Sequence, residues 1–151
     1  MSFGADFIAI SEQKLAELQN NPRELCDFLR KELDEQPSES LCIDDAWDIL
    51  TQTLDKLGVE FSAELEQLEN LPCAEMAFYI PAERVVNLAK QLKDCARTAL
   101  NDTLESLDYE EIYHGEHWSE EQEEFLELFE TVVAFFTNAA LRNEAVAYLL
   151  T

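Results

Sequence analysis

The segment Ser119–Arg142, SEEQEEFLELFETVVAFFTNAALR, decides the fold. Its Phe125, Leu128, Phe129, Val132, Phe136, Ala139 and Ala140 recur at the i, i+3, i+4, i+7 spacing that draws one apolar stripe along a helix. Leu126, Val133 and Phe135 widen that stripe, so its second half must be covered on more than one side. Ser119 and Gln122 have the spacing of a capping box, which would start the helix at that serine. The first turns carry Glu120, Glu121, Glu123, Glu124, Glu127 and Glu130 with no cation among them. A core helix with an acidic leading end is therefore expected.

After it, Asn143 suits the position past a helix C-terminus, and Ala145–Leu150 reads as a closing strand. Before it, residues 108–118, DYEEIYHGEHW, break the periodicity and hold both histidines, so a loop is expected there. Arg97–Leu107 reads as a helix through Leu100, Leu104 and Leu107. Pro81 opens another, with the stripe Val85, Leu88, Ala89 and Leu92 and the local cations Arg84, Lys90, Lys93 and Arg97. CAEMAFYI, residues 73–80, reads as a strand ended by Pro81.

The N-terminal half follows the same grammar. Ala5–Ile10 reads as a strand, and Ser11 caps a helix buried through Leu15 and Leu18. Pro22 starts the next helix, carrying Leu25, Phe28, Leu29 and Leu33, and Gln36–Ser40 is a polar connection. In LCIDDAWDILTQTLDKLG, residues 41–58, Asp44 is placed to cap a helix through Trp47, Leu50, Leu54 and Leu57, closed by Gly58. A further short helix is expected at Ser62–Leu71. The sum is an α+β, mainly helical single domain over 1–151, with about six helices and a small sheet of about three short strands.

Composition narrows the function classes. The 151 residues are 47% hydrophobic and 10% aromatic, which argues against disorder. No apolar run approaches the roughly 20 residues that span a bilayer, and MSFGADFIAIS lacks the basic start of a leader, so a cytoplasmic protein is expected. Cys26, Cys42, Cys73 and Cys95 form no C-x-x-C pair and read as small buried thiols. Thirty-three carboxylates against ten Lys and Arg give a net charge of -23, and no Lys or Arg lies between Arg97 and Arg142. Such a surface repels nucleic acid and anionic lipid and draws basic proteins or cations over a Debye length of roughly 8 to 10 Å. Acidity that serves only solubility is the plainer alternative.

Several stretches resemble one family, the YfbM-like proteins, a small bacterial domain of unknown function. They are the opening strand with its S-x-x-x-L, LCIDDAWDILTQTLDKLG, the P-x-E-x-V start at Pro81, Glu83 and Val85, and the run from Glu111 to Leu150. The resemblance covers most of the chain and implies the fold without implying an activity. The chain departs from the family pattern at residues 58–78, where a glycine-rich insert is missing, at Ile112-Tyr113-His114 in place of Ile-Tyr-Pro, and at Asn143 in place of glycine.

Chemical constellations are sparse. His114-Gly-Glu-His117 beside Glu110, Glu111 and Glu116 is the nearest approach to a metal site, but it is not H-E-x-x-H, Gly115 disfavours helical presentation, and ordinary loop histidines are the simpler reading. No G-x-S-x-G or phosphate loop exists, and a Cys26–His or Cys95–His pair has nothing to single it out. Asp44, Asp45 and Asp48 beside Trp47 are expected to cap or face solvent, with Trp47 in the core, rather than do acid/base work. No catalytic residue, metal or cofactor is assigned. The sharper feature is Tyr109, Tyr113 and Trp118 among Glu110, Glu111, Glu116, Glu120, Glu121 and Glu124, since aromatics with a charged rim resemble a protein-binding hot spot; packing of all three rings against the long helix is the plainer alternative. A non-enzymatic module engaging a basic protein partner, of the immunity or inhibitor kind or regulatory, with mimicry of nucleic acid as another version, is the favoured expectation. The alternative is a small-molecule or metal-dependent enzyme with a pocket between the 108–118 segment and the Trp47 helix.

Overall fold

The computed structural model describes residues 3–35 and 39–151. Its elements are β1 (Ala5–Ile10), α1 (Glu12–Leu18), α2 (Pro22–Glu35), β2 (Ser40–Asp44), α3 (Trp47–Lys56), β3 (Glu66–Gln67), β4 (Met76–Ile80), α4 (Ala82–Lys93), α5 (Arg97–Ser106), α6 (Gly115–Glu120), α7 (Gln122–Leu141) and β5 (Ala145–Leu150). The strands form one antiparallel sheet in the order β2-β1-β5-β4-β3. The last strand in sequence is thus the central one, and α7 delivers it there through Asn143, which takes the left-handed conformation (φ 55) and donates to the carbonyl of Ala140.

Strand alternation sends side chains into two helical layers. Phe7, Ala9, Ile80, Val146 and Tyr148 face α3 to α7, whereas Ile8, Ile10, Ala77, Ala145, Ala147 and Leu149 meet α1 and α2. Register places Phe7 and Phe78 on either side of Tyr148, with ring centroids 4.9 and 6.1 Å from its own. Phe61 and Phe136 close over this row, 5.7 Å from Tyr148 and 5.2 Å from Phe7 respectively. Aromatic burial of this kind removes large apolar area at small entropic cost, so the row anchors the sheet to α7. The helix is covered on two sides, as its doubled stripe requires: Phe125, Phe129, Phe135 and Phe136 are all buried, and α4 packs along it.

The mainly helical α+β class holds, with seven helices and five strands among the described residues, where about six and about three were expected. Two strands were hidden. LCID is β2, not the entry to a helix; Leu41 and Ile43 point into the core while Cys42 and Asp44 are exposed, a period-2 pattern too short to stand out. Asp44 does not cap α3. It ends the strand at φ 46, and Ala46 holds the cap position without a side-chain bond. Ser62–Leu71 is likewise not a helix: after a 3-10 turn at Ser62–Glu64 the chain extends into β3, which pairs with Tyr79 and Phe78, and Asn70 sits at φ 62.

The capping box is also absent. Ser119 lies within α6 and donates to the carbonyl of Glu116, and Glu121 holds the α7 cap position. Four free thiols give way to a Cys26–Cys73 disulfide, Cα to Cα 5.8 Å, tying α2 to the segment before β4. Cys42 is exposed and Cys95 half-buried. The polar connection at Gln36–Ser40 falls, at positions 36–38, outside the described residues. Among the described residues no helix is long and apolar enough to cross a membrane.

Candidate functional site

The acidic, aromatic stretch after α5 is ordered by a chain of local bonds. Leu107 and Ile112 are buried and pin its two ends. Between them Asp108 accepts from the Glu110 amide at 3.2 Å and opens a 3-10 turn at Tyr109–Glu111. The Tyr109 hydroxyl donates to the carbonyl of Leu104 at 2.6 Å and accepts from Gln122 at 3.1 Å, so one phenol joins the end of α5 to the start of α7. Burial raises its pKa above the usual range and the Gln122 bond works against that rise.

Residues 113 to 115 make the sharp change of direction. The Tyr113 amide donates to Asp48 at 2.8 Å, and its hydroxyl accepts from the Phe3 amide at 2.9 Å. Its ring lies 5.1 Å from Trp47 and stacks at 4.1 Å on His114. His114 is left-handed (φ 54, ψ 32) and its Nδ1 is 2.6 Å from Asp45. Gly115 then begins a helix instead of preventing one; the loop expected at 108–118 is a turn followed by α6.

The candidate residues divide by exposure. Glu110, Glu111, Glu116, Glu120, Glu121 and Glu124 are all exposed on one continuous run. Tyr109 and Tyr113 are half-buried, with their hydroxyls engaged within the protein. Trp118 is not part of the outer face: it is 3% exposed and packs edge-on to Phe125, because a ring at that position of α6 falls over the apolar end of α7. It braces the acidic face from beneath.

The histidines do not converge. His114 is directed at Asp45, and His117 Nε2 lies 3.6 Å from Glu124. No group of three potential metal ligands occurs among the described residues. Asp48 accepts from both Gln52 and the Tyr113 amide, a structural role. The Trp47 and Tyr113 rings meet between the 108–118 segment and the Trp47 helix, and both are half-buried. Cys26 is bridged, and Cys95 donates to the carbonyl of Gln91. Burial pushes both free thiols up, with Asp94 adding to the effect at Cys95.

Tertiary structure adds residues that were not assigned to the face. A groove of about 370 Å³ runs between β2 and the helices α6 and α7, lined by Cys42, Ile43, Asp44, Asp45, Trp118, Glu124, Glu127, Leu128 and Thr131. Four carboxylates line it, and Lys and Arg are absent from that set. The period-2 pattern of LCID was the signal that would have brought Asp44 and Asp45 to α7.

The family described as a domain of unknown function, DUF1877, matches residues 1–149. Among solved structures, YfbM from Escherichia coli, itself a protein of unknown function, is similar with a TM-score of 0.65 at 14% identity, covering 98% of this chain and 99% of that chain. At that identity the likeness is one of fold. No curated protein matches the chain.

Proposed function

Since the chain belongs to the DUF1877 family, a domain of unknown function, we propose a role from its own surface: a non-enzymatic binding module that engages a basic protein partner through residues 105–130. The observation that carries this reading is the exposure of Glu110, Glu111, Glu116, Glu120, Glu121 and Glu124 along a rigidly clasped turn and helix start, in a segment without Lys or Arg. Within it, His117 is the cationisable neighbour of Glu124, while Arg97 reaches only as far as Glu130 on α7. Carboxylates left unneutralised create a field that steers a cationic partner and rejects anionic ones. The hydroxyl contacts of Tyr109 and Tyr113 hold the face in place before binding, which lowers the entropic cost of association.

Masking of a cationic surface, as an immunity or inhibitor protein does, is the concrete form of this role. The test is a pull-down at low and at physiological salt with the native chain and with Glu120, Glu121, Glu123 and Glu124 reversed to lysine. A basic partner retained by the native chain at low salt, weakened by salt and lost on reversal, supports the module. A partner indifferent to both, or none at low salt, removes it.

A further inference from the structure

We propose that the groove between β2 and α7 receives an extended, arginine- or lysine-bearing segment of the basic partner, a specification that rests on the binding-module reading above. Three observations converge there. Among the described residues β2 is a terminal strand of the sheet, and Cys42, Ile43 and Asp44 at its end form one wall, where the Ile43 carbonyl already accepts from the Ala46 amide, so the occupant lies beside the outer edge of the sheet. Asp44 and Asp45 on that wall face Glu124 and Glu127 on the other, across a floor that includes Ile43, Trp118 and Leu128. Trp118, 97% covered, carries an indole N–H that finds no acceptor within the protein among the described residues. A buried donor without an acceptor is costly, and a ligand carbonyl relieves that cost.

An extended peptide meets all three conditions together. Its main chain offers carbonyls and amides to a strand edge, and side chains on alternate residues project to the same side about 7 Å apart. Guanidinium or ammonium groups then reach the carboxylates on the walls while a main-chain carbonyl comes within range of the indole. A helical segment satisfies its main-chain groups internally and leaves both the strand edge and Trp118 unserved.

The experiment uses the full chain, ¹⁵N-labelled, titrated at low salt with an acetylated and amidated octapeptide alternating arginine and valine. The Trp118 indole resonance is assigned with Trp47→Phe. Binding is expected to shift that resonance downfield, and the triple variant Asp45→Asn, Glu124→Gln, Glu127→Gln is expected to weaken affinity about tenfold or more. The triple variant Glu24→Gln, Asp27→Asn, Asp34→Asn, which removes the same charge from α2 on the opposite side of the sheet, is expected to change it less than about twofold. Equal losses in the two triples, an unmoved Trp118 indole, or no binding each overturns the groove. The wider reading stands or falls separately, by the pull-down.

Discussion

Gly115 begins α6 directly against the carbonyl of Tyr109: a Cβ built on Gly115 would lie 1.8 Å from that oxygen and 2.8 Å from its carbon. The obstacle is backbone, so no side-chain rotation relieves it. This approach lets the turn at Tyr109–Glu111 and the first turn of α6 lie against each other, and hence lets their carboxylates share one surface.

Gly115→Ala is therefore expected to cost about 3 kcal/mol through overpacking. Gly58 provides the comparison, because it has φ +79 but nothing within 4 Å of where a Cβ would sit. Gly58→Ala is expected to cost only the left-handed penalty, about 1 kcal/mol. Urea unfolding of the two variants measures the difference; equal losses would mean that the Tyr109 contact does not confine Gly115.

The Cys26–Cys73 bridge spans 47 residues of sequence and holds the segment before β4 onto α2. Chain entropy alone gives a loop of that length about 4 kcal/mol. Dithiothreitol, or Cys26→Ser with Cys73→Ser, should lower the melting temperature of the oxidised protein, and the oxidised protein should show two titratable thiols in denaturant. Four thiols in protein kept from reductant would disprove the bridge.

Tyr113→Phe removes the acceptor for the Phe3 amide while keeping the ring against Trp47. The expected cost is about 1 kcal/mol, with faster hydrogen exchange at Phe3 and little change in Trp47 fluorescence. Unaltered exchange at Phe3 would show that the hydroxyl does not hold the N-terminus.

Tyr148, beside Phe7 and Phe78, has its pKa pushed up to about 12 by burial, with Thr51 lowering it and Asp48 adding to the rise. The native state then keeps a proton that the unfolded chain releases near the ordinary value of about 10. Stability from this group is present below about pH 10 and is lost as pH rises toward 12, by about 3 kcal/mol over the window. Tyr148→Phe should flatten the alkaline limb relative to the native chain when stability is followed by denaturant titration. Parallel limbs would locate the loss elsewhere.

Residues whose partners lie along their own helix were legible. The α7 stripe, the α4 stripe behind Pro81, β1 and β5 were read at or near their observed bounds, because periodicity over ten or twenty residues already encodes which side must be buried. Where two short patterns abutted, as in LCIDDAW, the longer helical one absorbed the strand beside it. At Ser62–Leu71 the spacing of Leu65 and Leu68 was consistent with an inward helical face, but pairing with β4 decided otherwise. The exposed glutamates of the face were legible as charge, and packing of Trp118 against the long helix was one of two readings its sequence left open; tertiary structure decided it, since an aromatic beside an acidic run carries no mark of whether it faces a partner or the core.

By itself, then, the sequence determined a mainly helical α+β chain, its long core helix and an uncompensated run of negative charge, all properties of residues close in sequence. Tertiary structure alone decided that β5 is central, that Cys26 meets Cys73, and that Asp44 and Asp45 stand across a groove from Glu124 and Glu127. Each of these joins distant segments through register or packing. A pairing of that kind depends on the whole sheet closing, and local periodicity contains no term for it.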